Sequence, residues 1–129
     1  MNTPDHLKYN KADEWVKVEV DIATIGITDY AQDQLSDVVF AEIKVSVGDT
    51  LVREKTFAVV ESVKAAADVY APVAGTITAF NAELTNEPEK INNDPFGAWL
   101  FKMKPDNAAD VAGLMDAVAY QKHVDSEAH

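Results

Sequence analysis

The sequence predicts a mainly β fold, a flattened sandwich of short strands with short helices and a helical C-terminal region, on three observations. Apolar and polar residues alternate with a period of two in Trp15-Val16-Lys17-Val18-Glu19-Val20 and again through Asp37-Val38-Val39-Phe40-Ala41-Glu42-Ile43-Lys44-Val45, the pattern of half-buried strands. Two similar passages, Val47-Gly48-Asp49-Thr50-Leu51 and Val73-Ala74-Gly75-Thr76-Ile77, form an internal quasi-repeat whose halves can pack about a pseudo-twofold axis. From Asn107 onward the period changes: Val111, Leu114, Met115, Val118 and Ala119 recur at helical spacing.

Taken in order, residues 1–12 read as a lead-in whose sizeable apolar anchors are Leu7 and Tyr9. Trp15 to Val20 is the first strand, with the even-numbered valines expected on the buried face and Lys17 and Glu19 on the other. Asp21 turns the chain, Ala23 to Ile27 returns it, and the open end of this hairpin brings Glu14 towards the body of the sheet. Thr28 followed by Asp29 has the chemistry of a helix start, so Asp29 to Leu35 should be a short helix capped by Thr28. Trp15 and Tyr30 are expected in core or rim packing. In the next strand, Val39, Ala41, Ile43 and Val45 should share one face. Gly48 and Gly75 are each expected in a turn, free to take positive φ. Asn86 to Asn92 reads as a single helical turn capped by Asn86, with Pro88 near its start, and Asn93 to Gly97 as a turn. Ala98 to Lys104 should be the closing strand, stopped by Pro105. Residues 107–129 form a helical appendage interrupted near Gly113, and Asp125 to His129 should fray.

At 129 residues the chain is expected to be one domain, 1–129, with one core. Hydrophobic residues make up 47% and charged residues 26%, an ordinary globular balance without a run long enough to span a bilayer. Residues 1–12 lack the apolar region of a signal peptide, which makes the cytoplasm the expected location. The chain has no cysteine, so disulfides and thiolate metal sites are excluded. Its net charge of -11 opposes binding to a phosphate backbone and favours partners with basic rims; a monomer is expected. Phosphate loops, nucleophile elbows and zinc motifs are missing, and His6, His123 and His129 lie near the termini. No catalytic or metal site is expected, and paired carboxylates such as Asp13-Glu14 read first as solvated surface.

One segment stands out. Phe57 to Val60 and Val69 to Val73 flank Glu61-Ser62-Val63-Lys64-Ala65-Ala66-Ala67-Asp68. Strand formers on both sides make residues 61–68 the connection of a hairpin, with Lys64 in solvent at its tip. Local propensity leaves another reading open, because Ala65 to Ala67 favour helix and Glu61 with Lys64 has the spacing of a helical ion pair.

The same residues carry a resemblance. Glu61-Ser62-Val63-Lys64-Ala65 followed by Asp68-Val69-Tyr70-Ala71-Pro72-Val73-Ala74-Gly75 resembles the lipoyl-lysine segment of glycine cleavage system H proteins. In the same order, Glu14-Trp15-Val16, Ala23 to Gln32, Val38-Val39-Phe40, Val47-Gly48-Asp49, Asn93 to Gly97 and Trp99-Leu100 resemble that family's segments, so the similarity spans nearly the whole chain. Gly48 and Gly75, 16 residues before and 11 after Lys64, are placed as around the modified lysine of lipoyl domains.

The resemblance implies the barrel-sandwich hybrid fold of lipoyl and biotinyl domains and a carrier without catalytic residues of its own. It implies lipoate joined through an amide to Lys64, giving an arm that reaches on the order of 15 Å from ordinary bond lengths. Four partners follow from it: glycine decarboxylase, a pyridoxal-phosphate enzyme; a folate-dependent aminomethyltransferase; dihydrolipoamide dehydrogenase; and a lipoate-attaching enzyme. Glu61, Ser62 and Val63 are expected to help the attaching enzyme recognise the hairpin, since an amine alone does not distinguish Lys64 from Lys44 or Lys55. Glu14 and Asp68 match family positions that hold the cationic amine of the loaded arm. Val63 and Ala65 stand where biotinyl carriers usually have methionines, which disfavours biotin. The chain departs from the family at Asp13, where histidine is usual, at Val20, where glycine is common, at Gln34, and in a shortened Phe96-Gly97-Ala98-Trp99 segment. An H-like carrier serving lipoate relay shares the same hairpin, and an unmodified acidic interaction domain is the rival of another class.

Overall fold

The structure, a computed structural model, describes residues 2–127. Nine strands and five short helices follow one another within them. Strand β1 (Lys8–Tyr9) lies beside β2 (Glu14–Glu19), which turns through Val20 and Asp21 into β3 (Ile22–Ile27). Helix α1 (Asp29–Leu35) begins where expected: the Thr28 side chain accepts the Ala31 N–H at 3.2 Å, satisfying an amide left free at a helix start. Strand β4 (Val38–Ile43), β5 (Thr50–Leu51), β6 (Thr56–Ser62), β7 (Ala66–Tyr70) and β8 (Gly75–Phe80) follow. Then come α2 (Glu83–Asn86), α3 (Lys90–Asn93), β9 (Phe101–Pro105), α4 (Ala108–Ala112) and α5 (Ala117–Glu127).

The strands form two antiparallel sheets, one ordered β1-β2-β3-β9-β8-β5 and the other β4-β6-β7. Phe57, Val60, Ile25, Ile77, Phe101 and Met103 belong to the main buried cluster, where the Phe57 and Phe101 rings stand 4.0 Å apart. This is the flattened sandwich that the sequence predicts. The quasi-repeat is visible in the register, since Thr50 pairs with Thr76, its own counterpart in the second passage, as a twofold relation requires. A second cluster joins the two chain ends: Leu7, Tyr9 and Trp15 pack with Ala117, Tyr120 and Val124, and the Tyr9 and Tyr120 rings stack at 4.6 Å. The lead-in is therefore part of the fold, with β1 as an edge strand.

Several local expectations are corrected. Val16 is buried, but Val18 is 48% and Val20 99% exposed, because β2 runs past the end of β1 and Val20 sits in the turn. Val20 takes φ 60°, the left-handed region in which a β-branched residue is strained, and the physical reason a glycine suits this position. In β4 a bulge between Val38 and Phe40 resets the alternation, so Val38 and Ala41 are buried while Val39 is exposed. Gly48 has φ 95°, whereas Gly75 does not take positive φ; a Cβ there would lie 2.4 Å from the Lys104 carbonyl oxygen, so close packing is what requires glycine at 75.

Asn86 closes one helical turn and a second begins at Lys90, instead of a single turn capped by Asn86. Asn92 ties this region to the rest, accepting the Val38 N–H at 2.8 Å and donating to the Ser36 carbonyl at 2.7 Å. The closing strand starts at Phe101 and not at Ala98. The C-terminal helical region is interrupted at Gly113 as predicted, where α4 ends, but α5 buries Ala117, Tyr120 and Val124 while Val118 is exposed, a face one residue out of phase with the predicted stripe. Asp125 to Glu127 remain helical; residues 128 and 129, and with them His129, lie outside the described residues.

Candidate functional site

The lysine segment is a tight hairpin. Strand β6 extends to Ser62 and β7 starts at Ala66, with Glu61 opposite Ala66, Val60 opposite Ala67 and Val59 opposite Asp68. The connection is therefore Val63-Lys64-Ala65, shorter than the span 61–68 predicted. The helical alternative is overturned: ladder pairing with β6 outweighs the helix preference of Ala66 and Ala67. Lys64 is exposed, as are Glu61 and Val63. Ser62 holds the turn. Its Oγ accepts the N–H groups of Lys64 (3.2 Å) and Ala65 (3.0 Å) and donates to the Ala65 carbonyl (3.1 Å), while its own N–H reaches the same carbonyl at 2.7 Å. Such side-chain bonding replaces backbone pairs in a tight turn. A further bond, from the Val63 N–H to the Asp37 carbonyl at 3.2 Å, anchors the tip to the start of β4.

Beside this hairpin lies a cleft of about 280 Å³ whose lining includes Asp13, Glu14, Gln34, Ala65 and Asp68. Of the residues singled out in the sequence, Glu14 and Asp68 are thus brought together here next to the lysine; Glu61, Ser62 and Val63 stand outside the lining. Glu14 is 1% exposed. One carboxylate oxygen accepts from Asn10 Nδ2 at 2.7 Å and the other from the Tyr70 N–H at 2.5 Å. Burial pushes the Glu14 carboxyl up to about 7; these two hydrogen bonds oppose the rise and the neighbouring Asp13 charge adds to it. Asn10 is itself fixed, its Oδ1 accepting the N–H groups of Ala12 (3.1 Å) and Glu14 (3.0 Å).

Asp13 anchors a second network. Tyr120 donates to Asp13 Oδ1 at 2.9 Å, and Thr28 lies 2.7 Å from the Tyr120 hydroxyl. Burial raises the Tyr120 hydroxyl well above the usual range, so it remains protonated and donates to Asp13. Thr28 then donates to Tyr120 and accepts from the Ala31 N–H, a single run of bonds linking α1, α5 and the cleft wall. The Asp13 carboxyl is raised, chiefly by burial, with the Tyr120 bond opposing the rise. Sequence reasoning missed Asn10, the Tyr70 amide and Tyr120. An asparagine four residues before a buried acid has the Asx-turn chemistry that could have marked Asn10; the Tyr70 amide is 56 residues from Glu14 and Tyr120 is 107 residues from Asp13, and neither has a local signature.

The arrangement offers an exposed primary amine on a rigid turn and a partly apolar cleft with carboxylates beside it. Among the described residues no group of histidines, cysteines and acids could hold a metal ion, and no helix is long and apolar enough to cross a membrane.

Comparison with known proteins agrees with this geometry. A model of the family described as glycine cleavage H-protein matches residues 7–127. The chain is 56% identical to the glycine cleavage system H protein of Thiobacillus denitrificans and 52% identical to that of Nitrosomonas eutropha, in both cases over 100% of each chain. It superposes on the crystal structure of a glycine cleavage system H protein from Mycobacterium marinum with a TM-score of 0.84 at 30% identity, covering 94% of this chain and 98% of that one. With a family match across the fold, the lysine hairpin and the cleft alike, the chain belongs to the glycine cleavage H-protein family, a family of lipoyl carriers and not of catalysts.

Proposed function

We propose that Lys64 carries lipoate in amide linkage and that the chain, acting as one lipoyl domain in the cytoplasm, shuttles the aminomethyl group from glycine decarboxylase to the aminomethyltransferase before reoxidation by dihydrolipoamide dehydrogenase. The observation that carries the reading is the exposed Lys64 on a three-residue turn held by Ser62. Lipoate bound there would supply a dithiolane that takes up the aminomethyl group and returns to the disulfide on oxidation. The protein supplies placement. A rigid root and a flexible arm replace diffusion with a high effective concentration at each partner, and the absence of cysteine leaves no thiol on the carrier to exchange with the arm.

The cationic amine at the end of a loaded arm needs an acceptor while it travels. Glu14 and Asp68 line the cleft beside the hairpin, and a charge-assisted hydrogen bond to a buried carboxylate is among the stronger polar contacts. Glu14 already accepts one bond on each oxygen, which leaves a second lone pair on each for the amine. We assign Glu61 and Val63 to recognition by the lipoate-attaching enzyme and Ser62 to the shape of the turn that enzyme reads.

The test is intact mass of the protein, and of Lys64→Arg, after incubation with lipoate and its ligase. One lipoyl addition on the natural chain and none on the variant is expected; an unmodified natural chain sinks the reading. Exchange of glycine's carboxyl with bicarbonate, driven by glycine decarboxylase and the modified protein, then separates glycine cleavage from lipoate relay.

A further inference from the structure

A second recess lies along the strand that leads away from the cleft. It is a groove of about 420 Å³ whose walls include Val16, Val18, Val20, Pro105 and Val111. Val18 and Val20 are exposed, so the isolated chain leaves apolar side chains in water along one line. Lys8 and Lys104 also line the groove, against the single carboxylate of Asp21, with His6 beside them. Asp21 reaches Lys104 only at 3.9 Å, and Lys8 has no ion-pair partner among the described residues. In a chain with 22 acids to 11 bases, this groove reverses the ratio.

The backbone there is open too. Strand β1 is two residues long and pairs with β2 only at Val16 and Trp15, so from Lys17 to Glu19 the outer edge of β2 has no strand beside it among the described residues. An unpaired edge accepts an added extended segment. Val20, strained at φ 60° and 99% exposed, gains nothing from its side chain in the isolated protein. A contact that buries it would offset that strain.

We propose that this groove docks an extended segment of a glycine-cleavage enzyme that carries apolar side chains and carboxylates, added along the free edge of β2 with its acids towards Lys8 and Lys104. The proposal rests on the carrier reading above. Val18 is four strand residues from Glu14, about 13 Å along β2, so a docked segment leaves the Lys64 hairpin uncovered. It would act as a second, weaker grip, keeping the carrier close while the arm moves.

The test uses full-length, isotope-labelled Lys64→Arg protein, so that binding is read without the arm, titrated with purified glycine decarboxylase, aminomethyltransferase and dihydrolipoamide dehydrogenase in turn. For one of them we expect amide shifts at 16–20 and 105–112. Reversing both lysines, Lys8→Glu with Lys104→Glu, should raise its Kd about tenfold or more, since like charges across an interface are strongly disfavoured. Val20→Gly should weaken binding while raising the Tm, a split that a purely structural role for Val20 would not produce. Shifts absent from the groove for all three enzymes, or an unchanged Kd in the variants, overturn the proposal. So does dimerisation that Val18→Glu abolishes, which would make the groove a contact between copies, and so does saturation of the same amides by octanoate, which would make it a small-molecule site. Failure of lipoate attachment in the mass measurement would remove the carrier reading while leaving this binding result standing.

Discussion

Lys64, on the hairpin beside the cleft, and Glu14, in the cleft lining, are built in opposite ways. The lysine is exposed, and the order around it comes from one serine side chain and a few backbone bonds within the turn. The glutamate is buried, and its two donors are Asn10, four residues before it, and the amide of Tyr70 at the end of β7, 56 residues away. An exposed side chain can be supported only from behind, at small energetic cost. A carboxyl placed in a protected space bears a desolvation cost when charged, which perturbs its acidity and couples it to stability.

The largest consequence is a pH dependence at the buried glutamate. The Glu14 carboxyl titrates near 7 in the fold against 4.5 for an exposed one, so the folded state binds that proton more tightly than the unfolded state. Its contribution is fully present below pH 4.5, falls as the pH rises, and is lost above about 7, in total up to about 3 kcal/mol. Denaturant titrations of the natural protein and of Glu14→Gln should therefore differ by an amount that shifts in favour of the variant by about that much between pH 4 and pH 8. A constant difference would mean that burial of this carboxylate has been compensated. Asp13, raised in the same direction, contributes a parallel slope that remains in the variant.

On the functional side of the same residue, Glu14→Ala should speed loss of the aminomethyl group from the isolated loaded carrier by about tenfold or more, the worth of one charge-assisted hydrogen bond. An unchanged rate would remove Glu14 as an acceptor of the amine. At the exposed side the effects are smaller. Ser62→Ala removes three bonds from the turn and should cost about 1 kcal/mol at most, slowing lipoate attachment severalfold while amide exchange increases only at residues 62–66. A global loss of stability would contradict the view that the tip is independent of the core. The smallest effect is expected farthest from the cleft, where Val20→Gly should stabilise the isolated protein by about 0.5–1 kcal/mol by relieving a left-handed valine, read as a rise in Tm.

Much of the hairpin was legible in the sequence because its determinants are local. Apolar runs flank residues 61–68, and a lysine between them has to stand at the bend. What periodicity could not supply was the limit of pairing: Ala66 and Ala67 became strand because β6 offered a ladder, and a bulge at Val38 moved Val39 into solvent. The same holds for α5, whose buried face is set by Tyr9 and Trp15 packing against Tyr120 and not by the phase of its own apolar residues. Val20 shows the reverse case, where a departure read from sequence alone acquired its physical meaning only from the φ of 60° that the fold gives it.

By itself, then, the sequence determined the β class, the capped helix at Thr28, the paired halves of the quasi-repeat and the presentation of Lys64, all of which follow from residue preferences acting over a few positions. The tertiary structure alone decided that Glu14 is buried, which groups hold it, and that an apolar groove runs beside an unpaired edge of β2. Those properties depend on which distant segments meet, because desolvation and hydrogen-bond satisfaction belong to the packed arrangement and not to any stretch of chain.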